Sequence, residues 1–402
     1  MMTAVPPATE AEQALADLFE ARSAHFTKAP IDAKRTDAFR RFQRRGLPHR
    51  RIEAYKYTDI KARLRRLPTP PCASSELDVD GLLAAHPPLI EGAPRIVIAN
   101  GQFVAERSSA PQAARLHSIL ATEADTAGVG SLVAESDDPL TLANVGLFEG
   151  GVVLHVDGDA GPVEIVHLAA PASLVMGRIA VFVASGASVT IVERFINGAS
   201  TVTNNLAEMV VEDHGRLDIV RIAHGVGDDS TDLSSHYIRM GQEAHLEHLT
   251  VSTGLGLSRS QAFCPVVGDD AVTNFRTATV ALEKRHADNT LVMRHNALNG
   301  QSTEVFRSAV GQKGKAIVQG QIVVDPGAQK TDAGMMSNAL FLDDTGEVGN
   351  KPELEIFADD VLCGHGATSG DLDEEPIFYL RARGIPEKVA RRLLVEAFLV
   401  EA

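Results

Sequence analysis

Ala187-Ser-Val-Thr-Ile191, Gly215-Arg-Leu-Asp-Ile219, Ala244-His-Leu-Glu-His248 and Ala271-Val-Thr-Asn-Phe275 are four runs of one kind. Each opens on a small residue and then alternates, and the openings are 28, 29 and 27 residues apart. A fifth run, Gly314-Lys-Ala-Ile-Val318, fits the series less regularly. Alternation marks strands with one buried face. Recurrence at about 20–30 residues in an all-strand region is the mark of a solenoid, each repeat forming one coil of a β-helix. A large sandwich with hairpins of uneven length fits the same periodicity.

Outward from these runs the strand texture continues. Arg95-Ile-Val-Ile-Ala-Asn-Gly101, Gly151-Val-Val-Leu-His-Val156, Val163-Glu-Ile-Val-His167 and Arg178-Ile-Ala-Val-Phe-Val183 are Val/Ile-rich stretches bounded by turn residues. No helical pattern separates the strands after residue 150, which argues against βαβ winding. The ends read differently. Thr9 and Glu12 have the spacing of a capping box, followed by Ala11, Leu15, Leu18 and Phe19 at helical intervals. A second helix is expected from Asp32 to Arg45, stopped by Gly46, and Pro68-Thr-Pro-Pro71 reads as a linker. At the other end, Asp373 starts a helix that Gly384 stops, and Pro386 stands at the first position of the next. Val389, Leu393, Leu394 and Phe398 form an apolar stripe on that last helix, which packs within the hairpin or docks a partner helix, and Val389, Leu393 and Phe398 are expected to pack internally. The chain therefore divides into a helical segment and linker (1–90), a strand-rich core (91–370) and a C-terminal helical segment (371–402).

Composition removes several function classes. The 402 residues carry 38 basic and 53 acidic side chains, a net charge of −15, which repels nucleic acid. The window 31–70 holds 13 basic and 4 acidic residues, so the remainder carries −24, and the window reads as a solvated basic face. Three cysteines build no disulfide framework and cannot supply four thiolates to a cluster. The start, Met1-Met-Thr-Ala-Val-Pro6, lacks the basic and apolar regions of a secretory signal. No run approaches the ~18 apolar residues of a membrane span, so a cytoplasmic location is expected. Gly311-Gln-Lys-Gly-Lys315 lacks the spacing of a phosphate loop, and Gly254-Leu-Gly256 lacks a third glycine. His245 and His248, three apart on a strand, point to opposite faces and do not chelate together.

The stretch that carries chemistry is Pro352-Glu-Leu-Glu-Ile-Phe-Ala-Asp-Asp-Val-Leu-Cys-Gly-His-Gly-Ala-Thr368. Read as one strand, Leu354, Ile356, Ala358 and Leu362 share an apolar face. Glu355, Asp359, Cys363 and His365 share the other, turned away from the core, unless Asp359 and Asp360 break the register. A thiol and an imidazole two residues apart, about 7 Å between Cα atoms, can bind iron or hold sulfur. Two donors leave a site for a second chain to complete. Cys363 as a core thiol and His365 as a turn residue between two glycines is the plainer alternative.

These residues also resemble a known family. Lys330-Thr-Asp332, Asn338-Ala-Leu-Phe-Leu342, Asn350-Lys-Pro through Thr368, and Phe378-Tyr-Leu-Arg-Ala-Arg-Gly384 are similar to the C-terminal signature of the SufB/SufD family of iron–sulfur cluster assembly. Tyr55-Lys-Tyr-Thr58 resembles the family's Trp-Lys-Tyr-Thr, with Tyr at the Trp position. The form Cys-x-His-Gly-Ala-Thr is closer to the SufD branch. The resemblance implies a right-handed parallel β-helix between two helical segments. It implies a non-enzymatic scaffold that pairs with a SufB-like paralogue, or with a second copy of itself when isolated. A transient iron–sulfur cluster would form at that interface with His365 and Cys363, and no cofactor would stay tightly bound. It also implies docking of the ABC-type ATPase SufC on the C-terminal helices, through residues such as Glu374, Tyr379, Arg381 and Arg383. A β-helix polysaccharide lyase or hydrolase, or a purely structural solenoid, are the competing functions.

Overall fold

The computed structural model describes residues 9–26, 30–68, 77–121, 126–225, 229–254 and 256–402. The first eight residues, linker residues Thr69–Pro71, Cys72 and Leu255 lie outside them. The chain opens with helices α1 (Glu10–Ser23), α2 (Pro30–Arg45), α3 (Ile60–Arg63) and α4 (Val79–Ala85). Thr9 and Glu12 close the expected capping box on α1, and Gly46 after α2 has the positive φ of a helix stop. Strands β1 (Arg95–Ala99), β2 (Gln102–Phe103) and β3 (Ala114–Ser118) follow, then a buried helix α5 (Pro139–Leu147).

The solenoid comes next. Its strands are β4 (Val152–Val156), β5 (Asp159–Ala169), β6 (Leu174–Val183), β7 (Ser188–Asn197), β8 (Val202–Val211), β9 (Arg216–Gly225), β10 (Thr231–Met240) and β11 (His245–Thr253). They continue as β12 (Leu257–Val266), β13 (Val272–Ala281), β14 (His286–His295), β15 (Gln301–Val310), β16 (Lys315–Val324), β17 (Asp332–Phe341), β18 (Glu347–Ile356) and β19 (Leu362–Asp371). From β5 on, odd strands form one parallel sheet and even strands from β4 form the other, each pairing with the strand two ahead. This is a parallel β-helix, and hairpins are absent from 187–275 among the described residues.

The repeat has a physical cause. His214, Glu243, Asp270, Asn299 and Lys330 each stand two residues before an odd strand with φ between 49° and 64°. Left-handed backbone costs a non-glycine residue about 1 kcal/mol. Here each such residue donates its N–H to the turn of the next coil, at 2.6–3.0 Å. The residue between turn and strand is small in five successive coils, Ala187, Gly215, Ala244, Ala271 and Gly300, with Thr331 and Val361 in the last two; at Gly215 a Cβ would lie 2.8 Å from the carbonyl oxygen of Glu212. Ala187, Gly215, Ala244 and Ala271 are therefore the starts of successive strands in one sheet. Gly314 fits poorly because it opens β16, in the other sheet; the next member of the series is Gly300, before β15.

The lumen holds the main core, from Ile96 and Ile98 to Met335 and Ala358, with a polar group at its middle. There Glu193 meets His167 at 2.9 Å and His236 at 3.3 Å, and His236 bonds His248 at 2.9 Å. Burial and the nearby His236 and Arg221 push His248 far below the usual imidazole range. His245 is exposed and His248 buried, on opposite faces as the spacing requires.

The outer face of the even sheet is covered by the N-terminal helices. Tyr55 and Thr58, of the Tyr-Lys-Tyr-Thr motif, are buried in this contact. The Arg259 guanidinium stacks 4.2 Å from the Tyr55 ring centroid and ion-pairs with Asp288, both charges buried. The Thr58 hydroxyl donates to the same Asp288, the Tyr55 hydroxyl donates to Asp138, and Arg259 donates to the Ala54 carbonyl at 2.9 Å. A hydroxyl at position 55 thus has a partner of its own.

The C-terminal hairpin is α6 (Glu374–Ala382), capped by Asp373, and α7 (Glu387–Val400). Pro386 is the N-cap of α7, one residue before the expected position, because its extended ψ of 141° leaves it outside the helix. The apolar stripe is split. Ala390 is buried and Phe398 sits 5.0 Å from the Arg307 guanidinium on β15. Val389 and Leu393, expected inside, are 36% and 38% exposed, because α7 lies against the odd sheet through its other side.

Asp288→Ala leaves Arg259 buried without its counter-charge and is expected to cost about 3–5 kcal/mol in denaturant unfolding. The double change Arg259→Met, Asp288→Leu is expected to cost clearly less, since it removes both charges. Equal losses would show that the pair does not clamp the helices to the sheet.

Candidate functional site

The two ends of the solenoid differ. At the first, β1 and β5 run parallel while β2 and β3 turn antiparallel to β1 and β4 and cover the edges. At the last, β18 and β19 end their sheets with nothing beyond them among the described residues. Such edges leave a row of backbone donors and acceptors unpaired. Large apolar side chains stand out beside them, with Leu362 72% and Phe357 60% exposed.

The stretch 352–368 is not one strand. It is the end of β18, a turn over 357–361, and the start of β19 in the opposite sheet. The Asp359-Asp360 pair falls in that turn, where the Asp360 carbonyl accepts from Lys330 N–H at 2.6 Å. Leu354 and Leu362 therefore do not share a face. The expected orientation of Cys363 and His365 is also corrected. Cys363 stacks on Ala333, and His365 on Met335, both buried lumen residues. Cys363 packs against the lumen core, half-buried, and His365 follows it on the same face. The pair points into the end of the lumen, and His365 is exposed only because no further coil covers it.

The two residues line an open-sided cavity of about 540 Å³, with Thr303, Glu304, Asp332, Ala333, Met335 and Leu362 among its walls. Glu304 is the group that the sequence analysis missed. It lies two coils down in the His365 column, next to Met335. It is fully buried, and neither carboxyl oxygen has a hydrogen-bond partner. Burial pushes its carboxyl up to about 8, with Ser302 and the backbone offsetting part of the effect. Burial also raises the Cys363 thiol, aided by the negative charges of Asp332 and Glu304. No three His, Cys, Asp or Glu side chains among the described residues are grouped tightly enough to hold a metal ion. As it stands the cavity offers a thiol and an imidazole, while the Glu304 carboxyl is closed off beneath Met335.

A signal for Glu304 existed in the repeat frame. The fifth residue of each odd repeat points into the lumen: Ile191, Ile219, His248, Phe275, Glu304, Met335 and His365 occupy that column. The same frame turns His365 inward.

The other expected site residues lie on the C-terminal hairpin. Glu374 pairs with Arg391 at 3.0 Å and Arg381 with Glu387 at 3.3 Å, so both tie the two helices together. Arg383 stacks 3.8 Å from the Tyr379 ring centroid. Tyr379 and its neighbour Phe378 are 55% and 73% exposed.

Glu304→Gln is expected to raise stability. The folded chain holds the Glu304 proton up to about pH 8, whereas an unfolded carboxyl releases it near 4.5. Stability contributed by the neutral form is complete below 4.5 and lost as pH rises toward 8. The advantage of Gln over Glu in melting temperature should therefore widen across that interval. A pH-independent difference would place the carboxyl in water.

Comparison with known proteins agrees with this architecture. Residues 166–398 match the SUF system FeS cluster assembly, SufBD core domain, and residues 9–67 match the SufBD protein N-terminal region. The iron-sulfur cluster assembly protein SufD of Escherichia coli is 26% identical over 431 aligned positions, covering 100% of this chain and 94% of that protein. An iron-sulfur cluster assembly SufBD family protein of Synechocystis is 26% identical over 378 positions, 88% of this chain and 83% of that one. The SufD protein of Bacillus subtilis is 24% identical over 279, covering 66% and 63%. No helix among the described residues is long and apolar enough to cross a membrane. With its core matched through the whole run from β5 to α7, this chain belongs to the SufBD family of iron–sulfur cluster assembly proteins.

Proposed function

We propose that this chain is a scaffold subunit, without catalysis of its own, on which a nascent iron–sulfur cluster is built at the open end of the β-helix. Cys363 and His365 are this chain's donors, and a SufB-like paralogue supplies the rest while covering the β18 and β19 edges. The observation that carries the reading is the pairing of an incomplete soft donor set with an uncapped, apolar sheet end. A thiol with a raised pKa holds its proton at neutral pH and gives it up when iron binds. A neutral imidazole is a ligand that can be released, which suits a cluster meant to be passed on. The cluster is cargo, and the chain keeps no tightly bound cofactor. Without the paralogue, the same edges are available to a second copy of this chain. Family membership favours this function over carbohydrate chemistry or a purely structural solenoid.

A SufC-like ABC ATPase docks on segment 371–402. Its contact centres on Phe378, Tyr379 and Arg383, because these include large exposed groups of the hairpin. Glu374 and Arg381 support the contact by holding the helices together. The setting is the cytoplasm.

In the reconstituted complex, the double variant His365→Ala, Cys363→Ser is expected to lower cluster content, read by visible absorption and by iron and sulfide assay, while the subunits stay associated. Full cluster content in that variant would remove the site from the mechanism. Deleting 373–402 should abolish ATPase binding and leave the β-helix folded by circular dichroism; retained binding would move the dock elsewhere.

A further inference from the structure

Between β5 and β11 the lumen gathers Arg221, Asp232, Glu193, His167, His236 and His248, all of them buried. Two of these are carboxylates. Asp232 accepts from Arg221 at 2.5 Å, from Thr203 at 2.7 Å and from Asn205 at 3.2 Å, and a carboxyl ringed by donors is ionised. Burial opposes the ionisation of Glu193, but its contacts with His167 at 2.9 Å and His236 at 3.3 Å outweigh that and hold the carboxyl well below its usual range. Arg221 supplies one positive charge, and its Nε lies 3.9 Å from Glu193. With three neutral imidazoles the group would carry −1. An unbalanced charge in a low-dielectric interior is costly.

Counting donors finds the missing proton. A ring nitrogen that faces a carboxylate carries a proton, so His236 has one on Nε2. The bond between His236 Nδ1 and His248 Nε2, at 2.9 Å, holds a second. The His248 ring also bonds its own backbone carbonyl, and with Nε2 already engaged this takes a third on Nδ1. Two neutral imidazoles have two protons between them, whereas these contacts need three. His167 meets Glu193 through Nε2, and the one proton of a neutral ring serves that bond. The charges of Arg221, Asp232, Glu193 and the His236–His248 pair then sum to zero. We propose that His236 and His248 share one extra proton in the folded chain, and that this buried imidazolium is a pH-sensitive lock on the coils from β5 to β11. Burial, with the charges of His236 and Arg221, keeps the proton off His248, so it sits on His236 between Glu193 and the second ring. Among the described residues, the other strands packed here add no charge: β8 and β12 set Ala207 and Ala262 beside His236, and β13 stacks Phe275 4.8 Å from the His248 ring centroid.

An imidazole in the unfolded chain is neutral above about pH 6.5. Unfolding at about pH 8 therefore releases the extra proton, and the stability that it gives is complete below about pH 6.5 and falls as the pH rises further. Histidine-selective ¹⁵N NMR of the full-length chain at about pH 8, where free imidazoles are neutral, tests the proton directly. One ring protonated on both nitrogens is expected. His236→Gln, or the double variant Glu193→Gln, His236→Gln if the single one does not fold, should remove its signal. Melting temperatures test the lock. The double variant removes one charge of each sign and lacks the extra proton, so the margin of the unaltered chain over it should shrink from about pH 6.5 to about pH 9, with a slope of about one proton per chain. His236→Gln alone leaves the group at −1 and should melt below the double variant. Neutral rings throughout at that pH, a doubly protonated ring that survives these substitutions, or a margin that does not change with pH would overturn the proposal.

Discussion

From β7 onward the described coils hydrogen-bond to the coil before in parallel and in register, with one shift where β7 meets β5, and from that stacking the rest follows. Each strand from β5 onward pairs with the strand two ahead, so a residue's side chain lies directly over its equivalent one repeat earlier. The stacking sets the repeat length, because the left-handed turn residues bond from coil to coil. It sorts side chains into columns, alternately lumen and surface. It also means that the fold has no intrinsic end. A solenoid must be stopped by a cap or continued by a partner. One end here is stopped by β2 and β3 and the other is not.

Charges are buried in two ways that serve different ends. On the outer face of the even sheet, Arg259 with Asp288 and Arg178 with Glu208 are buried as complete pairs, joined by further hydrogen bonds from the N-terminal helices and loops. Paired in this way, they fix where the helices sit and carry little chemical potential. Glu304 is buried alone. It lowers the stability of the coil that holds it.

Much of the fold was legible in the chain because its strongest signals are local. The openings at Ala187, Gly215, Ala244 and Ala271 reflect a turn repeated from coil to coil, and they mark one sheet without error. The capping box of α1, the Asp373 cap of α6 and the stops of the terminal helices are equally local. What was misread depends on neighbours distant in sequence. Alternation alone let 352–368 pass as one strand, because Ala358 and Leu362 keep an even spacing across a turn. Stacking on Ala333 and Met335, or the repeat frame carried on to the last coil, turns Cys363 and His365 to the lumen. The stripe on α7 was assigned to the interior because a helix does not declare which flank meets a sheet; Ala390 and Phe398 do so, and Val389 and Leu393 stay outside. Glu304 escaped notice because a lone glutamate among strand residues looks solvent-facing until the repeat frame is extended through Gly300.

The central claim is that the last coil is where the partner adds and where the site is closed. Amide hydrogen exchange, followed by mass spectrometry on this chain alone and in complex with a SufB-like partner, tests it most directly. The account predicts rapid exchange at the free edges, Glu347–Ile356 and Leu362–Asp371, in the chain alone and strong protection there in the complex, with the mid-solenoid strands unchanged. Edges that exchange equally fast in both states, with new protection elsewhere on the molecule, would contradict it.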